Sequence, residues 1–398
     1  MAFHEKNQQW QMQTRSGDIS LASLTTSAVR PFYVYNLEDA LERADHFLAA
    51  GVSVHYAMKA NSNPRLLREF AARGLGADVV SIGEMQKALA CGFAPDKLIF
   101  SGVAKDTEEL QAALAQRIFQ VNCESFEELQ LLEEICTARG VQADVALRLN
   151  IHLSAPTHAH VQTATPDSKF GIDVTQLGEV TSWLSGKKSL RLRAIATHIG
   201  SQIQDLSVFE QMAAKMGQLY RDLKSEGFAL ERLDLGGGLG IDYHGTGDED
   251  LVKADEYLRR LKAAHGTDAR LLVEPGRFLV ARMGALLAKV IYIKKTSTQQ
   301  FMVLNAGMNC LMRPALYEAY HRISPVLTQG ASARYTVVGP ICESTDKFAT
   351  DREMPSAKRG DWILILDAGA YGAAMANTYN ESPLPKEWTF LNGRWEVT

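Results

Sequence analysis

Apolar, β-branched runs alternate with amphipathic segments from about residue 32 to about residue 280. The runs predict eight strands that begin near residues 52, 75, 97, 118, 144, 192, 232 and 270. Between them, segments such as PRLLREFAARG and SFEELQLLEEICTARG have helical periodicity, and several of these segments open on Ser or Asp and close near Gly. Eight strands alternating with helices over roughly 250 residues predict a (β/α)8 TIM barrel, an α/β fold. An open doubly wound sheet is the alternative.

The pattern changes after about residue 280. The segments KVIYIKK, QFMVLNAGM, ARYTVVGP and DWILILDAGAY are strand-like, with turn residues between them and few helical stretches. This pattern predicts an antiparallel β-barrel or sandwich domain. The first thirty residues contain ISLASLTT but no barrel-like unit, so we expect them to join that domain. The predicted domains are a barrel over 32–280 and a β-domain from 1–31 and 281–398.

Composition narrows the class of protein without identifying a function. The 398 residues carry a formal net charge of -4, with 46% hydrophobic and 22% charged residues, so no basic surface suggests nucleic acid. We find neither the apolar core of a signal peptide nor a run of about 18 apolar residues, and expect no membrane partner. Five cysteines without CxxC spacing argue against a disulfide framework or a zinc site. We therefore predict a cytoplasmic protein.

Polar residues stand where the predicted strands end. Lys59 closes the strand in VHYAMKANSN, on the face of the alternation opposite Tyr56 and Met58. In an open sheet this lysine would only be solvated, but a parallel barrel gathers its chemistry at the C-terminal ends of its strands. The other strand ends supply further chemical groups, namely Asp78, His198, Gly236, Gly237, Gly238, Glu274 and Arg277. Their coincidence at equivalent positions predicts one site.

These groups meet the needs of an aldehyde cofactor that carries a phosphate. Glycines allow backbone N–H groups to close on an anion, and the last strand loops of a barrel are a frequent phosphate site. Glu274 can keep a pyridine nitrogen protonated, His198 offers a flat ring for stacking, and Lys59 supplies an amine that adds to the aldehyde. The residues therefore predict pyridoxal 5'-phosphate as the cofactor.

Other kinds of site are less well supported. Taken singly, Lys59 could be a solvated strand end and His198 a hydrogen-bonded core histidine. No GxSxG elbow supports a serine nucleophile. A metal site would need the loop histidines, but no carboxylate or cysteine at ligand spacing completes them: His152, His158 and His160. We therefore predict no metal.

From FYVYN to DAGAYG, nearly the whole chain resembles the fold type III pyridoxal-phosphate decarboxylases, most closely the diaminopimelate decarboxylase family. The motifs that carry the cofactor resemblance are YAMKAN, HIGSQI, LDLGGGLG and EPGR. Those that carry the substrate resemblance are SKFGI, MRPALYEAYH, GPICESTD and DAGAYG. The resemblance implies a head-to-tail homodimer in which the CES segment enters the partner's active site.

Site residues follow by similarity. The cofactor-binding positions would be Lys59, Asp78, His198, Ser201, Gly236, Gly237, Gly238, Glu274, Gly276, Arg277 and Tyr371. Arg277, Arg313 and Tyr317 would grip a distal substrate carboxylate. Glu343 would receive the distal amino group, with Tyr371 also in the substrate set. The catalytic residues would be Lys59 and Cys342, the latter as proton donor after decarboxylation.

The charges of these side chains suit an α,ω-diamino-dicarboxylate, because arginine offers the planar fork that a carboxylate prefers. We therefore predict decarboxylation of meso-diaminopimelate to L-lysine, the last step of lysine biosynthesis. The alternatives are a related decarboxylase of lysine, ornithine, arginine or carboxynorspermidine, a barrel-type amino-acid racemase, and an inactive regulatory homologue. Two loop residues depart from the family pattern, since Thr345 and Ala164 stand where glycine is expected.

Overall fold

A computed structural model describes residues 2–153 and 168–398 of the chain. Its strands are β1 (Phe3–Lys6), β2 (Gln9–Thr14), β3 (Gly17–Ser20), β4 (Phe32–Asn36), β5 (Ser53–Ala57), β6 (Gly76–Val79), β7 (Leu98–Phe100), β8 (Gln120–Cys123), β9 (Ala143–Asn150), β10 (Ile172–Asp173), β11 (Leu190–Ala196), β12 (Arg232–Asp234), β13 (Arg270–Val273), β14 (Gly284–Lys295), β15 (Gln300–Leu304), β16 (Ile323–Pro325), β17 (Ser332–Val338), β18 (Lys347–Pro355), β19 (Trp362–Ile365), β20 (Lys386–Leu391) and β21 (Arg394–Val397). Its α-helices are α1 (Leu21–Thr25), α2 (Leu37–Ala49), α3 (Pro64–Ala72), α4 (Ile82–Ala90), α5 (Thr107–Gln116), α6 (Phe126–Arg139), α7 (Leu177–Ser185), α8 (Leu206–Ser225), α9 (Asp250–His265), α10 (Arg277–Val280) and α11 (Arg313–Tyr317).

The chain divides into two units that are discontinuous in sequence. The barrel unit comprises Ala44–Gly240 and Glu249–Gly276, and the β-unit comprises Met1–Arg43, Ile241–Asp248 and Arg277–Thr398. The β-unit therefore takes a short segment from the connection between β12 and α9. The EPGR motif is also divided, since its glutamate belongs to the barrel unit and its arginine to the β-unit.

In the barrel unit, eight parallel strands of the described chain follow one another in the order β5, β6, β7, β8, β9, β11, β12 and β13. The ring closes because β13 pairs with β5, with Leu272 opposite Ser53 and Val273 opposite Val54. Helices α3 to α9 alternate with the strands along the chain. The prediction of a (β/α)8 barrel followed by a β-domain is confirmed.

Capping residues begin the helices soon after the strands end. The loops are therefore short, and the strand-end residues lie close to the following helix. The side chains of Ser81, Asp106 and Ser125 accept hydrogen bonds from backbone N–H groups in the first turns of α4, α5 and α6. At Asp106 the contact is reciprocal, because the Glu109 side chain accepts from the Asp106 N–H. Ser81 stands two residues after β6, so the loop that follows Asp78 is short.

The β-unit is built around a sheet that runs β18, β17, β15, β14, β4, β20 and β21, with β19 pairing β14 and β16 pairing β19. Most of its pairs are antiparallel, but β15 with β17 and β20 with β4 are parallel. Alternation of apolar and polar residues does not distinguish the two kinds of pairing, so the sequence prediction of antiparallel strands missed these two pairs.

The N-terminal residues pack in the core of the β-unit. Strands β1 to β3 form an antiparallel sheet, and Trp10 and Met12 from β2 lie in one buried cluster with Val34, Leu287 and Trp362. The segment ISLASLTT ends β3 and then forms α1, in the β-unit as expected. None of the helices in the described ranges is long and apolar enough to cross a bilayer.

Candidate active site

Lys59 forms an ion pair at the end of the first barrel strand. It lies one residue beyond Met58 in a short 3-10 helix that follows β5, and its Nζ is 3.0 Å from Asp78 Oδ2. Asp78 is buried in β6, whose residues pair with β5 so that Asp78 stands opposite Ala57. The side chain of Lys59 is 41% exposed, whereas that of Asp78 is 1% exposed. A buried carboxylate thus holds an accessible amine at the C-terminal end of the barrel strands.

His198 carries a neutral ring next to the glycine loop. The Gly237 N–H donates to His198 Nδ1 at 3.2 Å, so the ring proton is on Nε2. Desolvation, together with the positive charges of Arg148 and Lys59, lowers the pKa of His198 well below its usual value. The uncharged, flat ring suits the predicted stacking role. Arg148, which the sequence reading missed, lies in β9 and pairs with Glu124.

The glycines of LDLGGGLG are required by close packing of the backbone. A Cβ on Gly237 would lie 2.2 Å from the Glu274 carbonyl oxygen, and one on Gly238 would lie 2.4 Å from the Gly200 carbonyl oxygen. The Gly236 N–H donates to Asp234 Oδ1 at 3.0 Å, and the Gly237 N–H is taken by His198. Two of the N–H groups expected to hold a phosphate are therefore bonded within the barrel unit, and phosphate binding by this loop stays a prediction.

Glu274 and Asp234 place two carboxyl groups together. Asp234 is fully buried at the end of β12 and lies within hydrogen-bonding reach of Glu274. Burial, and then the negative charges of Asp234 and Asp78, raise the pKa of Glu274 well above its usual value. Burial also raises the pKa of Asp234 to about 6. Glu274 Oε1 is buried and receives no hydrogen bond from an N–H group of the described residues, so it can accept one from a ligand.

In the β-unit, Arg277 and Arg313 are buried guanidinium groups that share Tyr243. Arg277 Nη1 donates to the Tyr243 hydroxyl at 3.0 Å, and the Arg313 guanidinium lies 4.7 Å from the centre of the Tyr243 ring. The two arginines are 8% and 4% exposed. Arg313 pairs with no carboxylate in the described chain, and its Nη1 lies 2.8 Å from His321 Nε2. The cluster holds positive charge that an anion can neutralise.

Two further predicted residues adjoin this cluster. The Tyr371 ring lies under the Arg277 guanidinium at 4.8 Å, and its backbone has a φ of 56°, an uncommon conformation for a residue other than glycine. Tyr317 is the last residue of α11. Burial opposes the rise in the pKa of Arg277, but Tyr243, then Tyr371 and lastly Tyr317 outweigh it. The structure thus places Arg277, Arg313, Tyr317 and Tyr371 in one unit, and their binding roles stay a prediction.

The CES segment, residues 342–344, is exposed at the tip of a loop, and the buried residues 341 and 346 form the base of that loop. Asp346 is buried, and its carboxylate accepts from the Ile341 N–H at 2.7 Å and the Met308 N–H at 2.6 Å. Residues 342–345 are exposed, and the Tyr379 hydroxyl donates to Glu343 Oε1 at 2.7 Å. Of the chain's five cysteines, which all lie in the described ranges, only Cys342 is exposed. The β-unit therefore presents this thiol and the Glu343 carboxylate at its surface.

The remaining predictions have simpler outcomes. Ser201 and Gly276 follow His198 and Glu274 in the barrel unit, and Thr345 lies at the exposed CES tip. His152 pairs with Asp173 at 2.7 Å, whereas Ala164, His158 and His160 lie outside the described residues. Within those residues no group of three potential ligands could hold a metal ion. Residues such as Asp234, Tyr243, His321 and Tyr379 were missed, because only the fold brings them to the predicted groups.

Comparison with known proteins identifies the family. The profile described as "Pyridoxal-dependent decarboxylase, pyridoxal binding domain" matches residues 35–281. The chain belongs to this decarboxylase family. Within it, the chain is 42% identical over 379 residues to the diaminopimelate decarboxylase of Zymomonas mobilis, covering 93% of this chain and 90% of that protein.

Solved structures of this decarboxylase family agree with the fold. Diaminopimelate decarboxylase from Helicobacter pylori complexed with L-lysine superimposes with a TM-score of 0.90 at 35% identity, covering 94% of this chain and 95% of that one. The enzyme from M. jannaschii in co-complex with L-lysine gives 0.89 at 33% identity, covering 100% and 94%. The recognition of the diaminopimelate decarboxylase family from sequence motifs is confirmed.

The decarboxylase uses pyridoxal phosphate, and the barrel unit fits this cofactor on two observations. Glu274 Oε1 can accept a hydrogen bond from a pyridine N–H, and the positive charge of a protonated pyridine would oppose the burial that raises the pKa of this carboxyl. The accessible Lys59 amine, held by Asp78, is the kind of group that can add to an aldehyde. The cofactor prediction is confirmed.

Proposed function

We propose that this decarboxylase converts meso-diaminopimelate to L-lysine and CO2, the last step of lysine biosynthesis. The substrate assignment is supported by the Arg277–Arg313 cluster of the β-unit. In this cluster Arg313 is 4% exposed and pairs with no carboxylate of the described residues. A second substrate carboxylate would supply the missing anion. Lysine and ornithine lack that group, so they would leave the buried guanidinium without a counter-charge.

We assign the cofactor-binding roles to the predicted set: Lys59, Asp78, His198, Ser201, Gly236, Gly237, Gly238, Glu274, Gly276, Arg277 and Tyr371. When bound, pyridoxal phosphate supplies an electron sink for the pair of electrons left on the α-carbon as CO2 departs. Asp78 keeps the Lys59 amine in place, and the neutral His198 ring offers a flat stacking surface. Glu274 would accept a hydrogen bond from the pyridine nitrogen of the cofactor and so favour its protonated form.

The substrate-binding roles in this proposal fall to the β-unit. Arg277 and Arg313 bind the distal carboxylate together with Tyr317 and Tyr371, and Glu343 binds the distal ammonium. The α-carbon must gain one proton after CO2 leaves, and Cys342 is the proposed donor. An exposed cysteine suits this role better than the four buried thiols, because a ligand can reach it.

We further propose a cytoplasmic homodimer in which Cys342 and Glu343 act in the partner's active site. Residues 342–345 are exposed, and Asp346 fixes the base of their loop, as a segment that reaches a neighbouring chain requires. All five cysteines are free, which suits a reducing compartment.

The test is turnover of candidate amino acids by the purified, pyridoxal-phosphate-loaded protein, with CO2 and product measured. We expect CO2 and L-lysine from meso-diaminopimelate and little reaction with lysine, ornithine or arginine. The Arg313→Ala variant should lose about two to four decades of kcat/KM while still binding the cofactor, because breaking a buried charge interaction costs roughly 3–5 kcal/mol. Arg334→Ala is the matched control, since Arg334 is an exposed arginine of the same unit. Equal turnover of lysine or ornithine, unaffected by Arg313→Ala, would contradict the assignment.

A further inference from the structure

Arg277 and Arg313 of the β-unit are both contacted by one uncharged side chain, that of Tyr243. Tyr243 is 7% exposed, accepts from Arg277 through its hydroxyl, and supports Arg313 on its ring face. It lies in the short segment Ile241–Asp248 that follows the glycine loop in sequence. One aromatic ring therefore contacts both guanidinium groups by different parts of its surface.

His321 holds Arg313 from another direction and is itself neutral. Its ring is fully buried, and Nδ1 lies 2.7 Å from the Leu366 carbonyl oxygen, to which it must donate. Nε2 is therefore the unprotonated nitrogen, and it accepts from Arg313 Nη1 at 2.8 Å. The His321 ring also meets the Tyr243 ring edge to face at 5.5 Å. A tyrosine and a histidine thus form one framework around Arg313.

Neutral acceptors orient a guanidinium group without cancelling its charge. A carboxylate of the protein in the same place would neutralise Arg313 and compete with an anionic ligand. Burial, followed by the like charge of Arg277, lowers the pKa of Arg313, although Tyr243 opposes both. Burial alone would raise the pKa of Tyr243, but Arg313 and Arg277 outweigh it and lower that pKa. The cluster is arranged to receive an anion.

The segment that carries Tyr243 is itself anchored. Arg282 is 2% exposed and donates to the carbonyl oxygens of Asp242 at 2.6 Å and Gly245 at 3.2 Å, on either side of Tyr243. Arg282 also pairs with the buried Asp367 at 3.2 Å. These contacts hold the backbone on both sides of Tyr243, and so restrict the position of its ring. A small displacement of that ring would move both guanidinium groups.

We propose that Tyr243 is a positioning residue that gives the site its preference for a ligand with a distal carboxylate, by holding Arg277 and Arg313 in a shared orientation. The proposal rests on the proposed function for the identity of the substrate. The role of Tyr243 itself is argued only from its contacts with the two arginines. Tyr243 touches neither the reacting carbon nor the cofactor in this assignment.

The test compares Tyr243→Phe, which keeps the ring face and removes the hydroxyl, with the control Tyr220→Phe. The Tyr220 hydroxyl is a buried donor to the Leu230 carbonyl oxygen at 2.9 Å in the barrel unit. We expect Tyr243→Phe to raise KM for meso-diaminopimelate about tenfold while kcat changes less than about twofold, as for loss of binding that is shared by ground and transition states. Tyr220→Phe should leave KM unchanged.

Ligand affinities separate this role from general damage and from failure of the proposed function. Calorimetry of the loaded enzyme with pimelate, a dicarboxylate without amino groups, should show about tenfold weaker binding in Tyr243→Phe, whereas L-lysine and pyridoxal phosphate should bind as in the wild type. Weaker pimelate binding in an enzyme that does not decarboxylate diaminopimelate would refute the function and keep the positioning role. The positioning role of Tyr243 would be refuted if Tyr243→Phe left both pimelate affinity and KM unchanged. It would also be refuted if the variant lost equal affinity for pimelate and for lysine.

Discussion

Asp234 and Glu274 of the barrel unit are linked through hydrogen bonds to Gly236 and through their ionisation. Asp234 Oδ1 accepts from the Gly236 N–H, while the Glu274 N–H donates to the Gly236 carbonyl oxygen at 2.8 Å. The glycine loop and the proposed pyridine-binding carboxyl are therefore fixed by the same few atoms. Since two adjoining buried carboxyl groups cannot both ionise easily, they titrate as a pair.

This pair predicts a pH dependence of the cofactor-free protein. A carboxyl whose pKa is raised in the folded state binds protons more tightly there than in the unfolded chain, so the free energy of unfolding falls as pH rises. The fall should begin near the ordinary aspartate pKa of about 4 and extend through about 6, the raised pKa of Asp234, continuing as Glu274 ionises. Denaturant unfolding between pH 4 and pH 8 measures it.

Asp234→Asn removes the titrating group and nearly keeps its shape, so the variant should lose much of this pH dependence. The free energy of unfolding of the variant should rise relative to that of the wild type as pH rises. The two values should become similar at low pH. Parallel curves for the two proteins across this range would contradict the prediction, because they would show that the pKa of Asp234 is the same in the folded and unfolded states. Asp18→Asn, at an exposed ion pair with Lys6, is the control for removal of one carboxylate.

How much of the site the sequence could predict depends on how each residue reaches it. Lys59, His198 and Glu274 could be found because a parallel barrel brings its strand ends together. Asp234 could not, since an aspartate before a glycine run also reads as a turn residue. Tyr243 meets an arginine 34 residues further along the chain, and no periodicity connects the two positions.

At the scale of the element, the barrel depends on buried polar contacts as well as on apolar strands. Lys105, in the loop before α5, pairs with Glu128 of α6 at 2.8 Å, and the two side chains are 1% and 8% exposed. Lys105 Nζ also donates to the Asn122 carbonyl oxygen at 2.9 Å. Burial raises the pKa of Glu128, although Lys105 opposes this effect. Lys105 therefore connects the loop after β7 to helix α6.

We predict that Lys105→Met destabilises the barrel unit by about 3–5 kcal/mol, because it leaves the Glu128 carboxylate buried without its counter-charge. Urea unfolding followed by circular dichroism provides the measurement. The double variant Lys105→Met/Glu128→Leu should recover much of the loss, since it removes both charges. Lys6→Met, at an exposed pair, should have no measurable effect. Equal stability of Lys105→Met and wild type would contradict the importance of this pair.

Element boundaries were predictable where the physics is local. The caps at Ser81, Asp106 and Ser125 are set by side chains within four residues, and the sequence indicated them. The parallel pairs β15–β17 and β20–β4 were not predictable from alternation, because pairing direction depends on how distant strands connect. Strand existence is thus a local property here, and strand direction is not.

At the scale of the whole molecule, the predicted site residues fall in two units. Lys59, Asp78, His198 and Glu274 belong to the barrel unit, whereas Cys342 and Glu343 belong to the β-unit. Each unit is discontinuous in sequence. If the β-unit groups act in the partner's site, two chains defective in different units can complement each other, whereas two chains defective in the same unit cannot.

We therefore predict that mixing Lys59→Ala with Cys342→Ala restores activity, although each homodimer is inactive. In a heterodimer, one of the two sites would lack both groups and the other would have both, so random exchange should recover about a quarter of wild-type activity. Mixing Lys59→Ala with Glu274→Gln is the control. Both of those groups lie in the barrel unit, so every site of that heterodimer is defective and no recovery is expected. Native mass spectrometry verifies the exchange of subunits. If heterodimers form from the first pair without any activity, Cys342 acts within its own chain and the shared-site dimer is wrong.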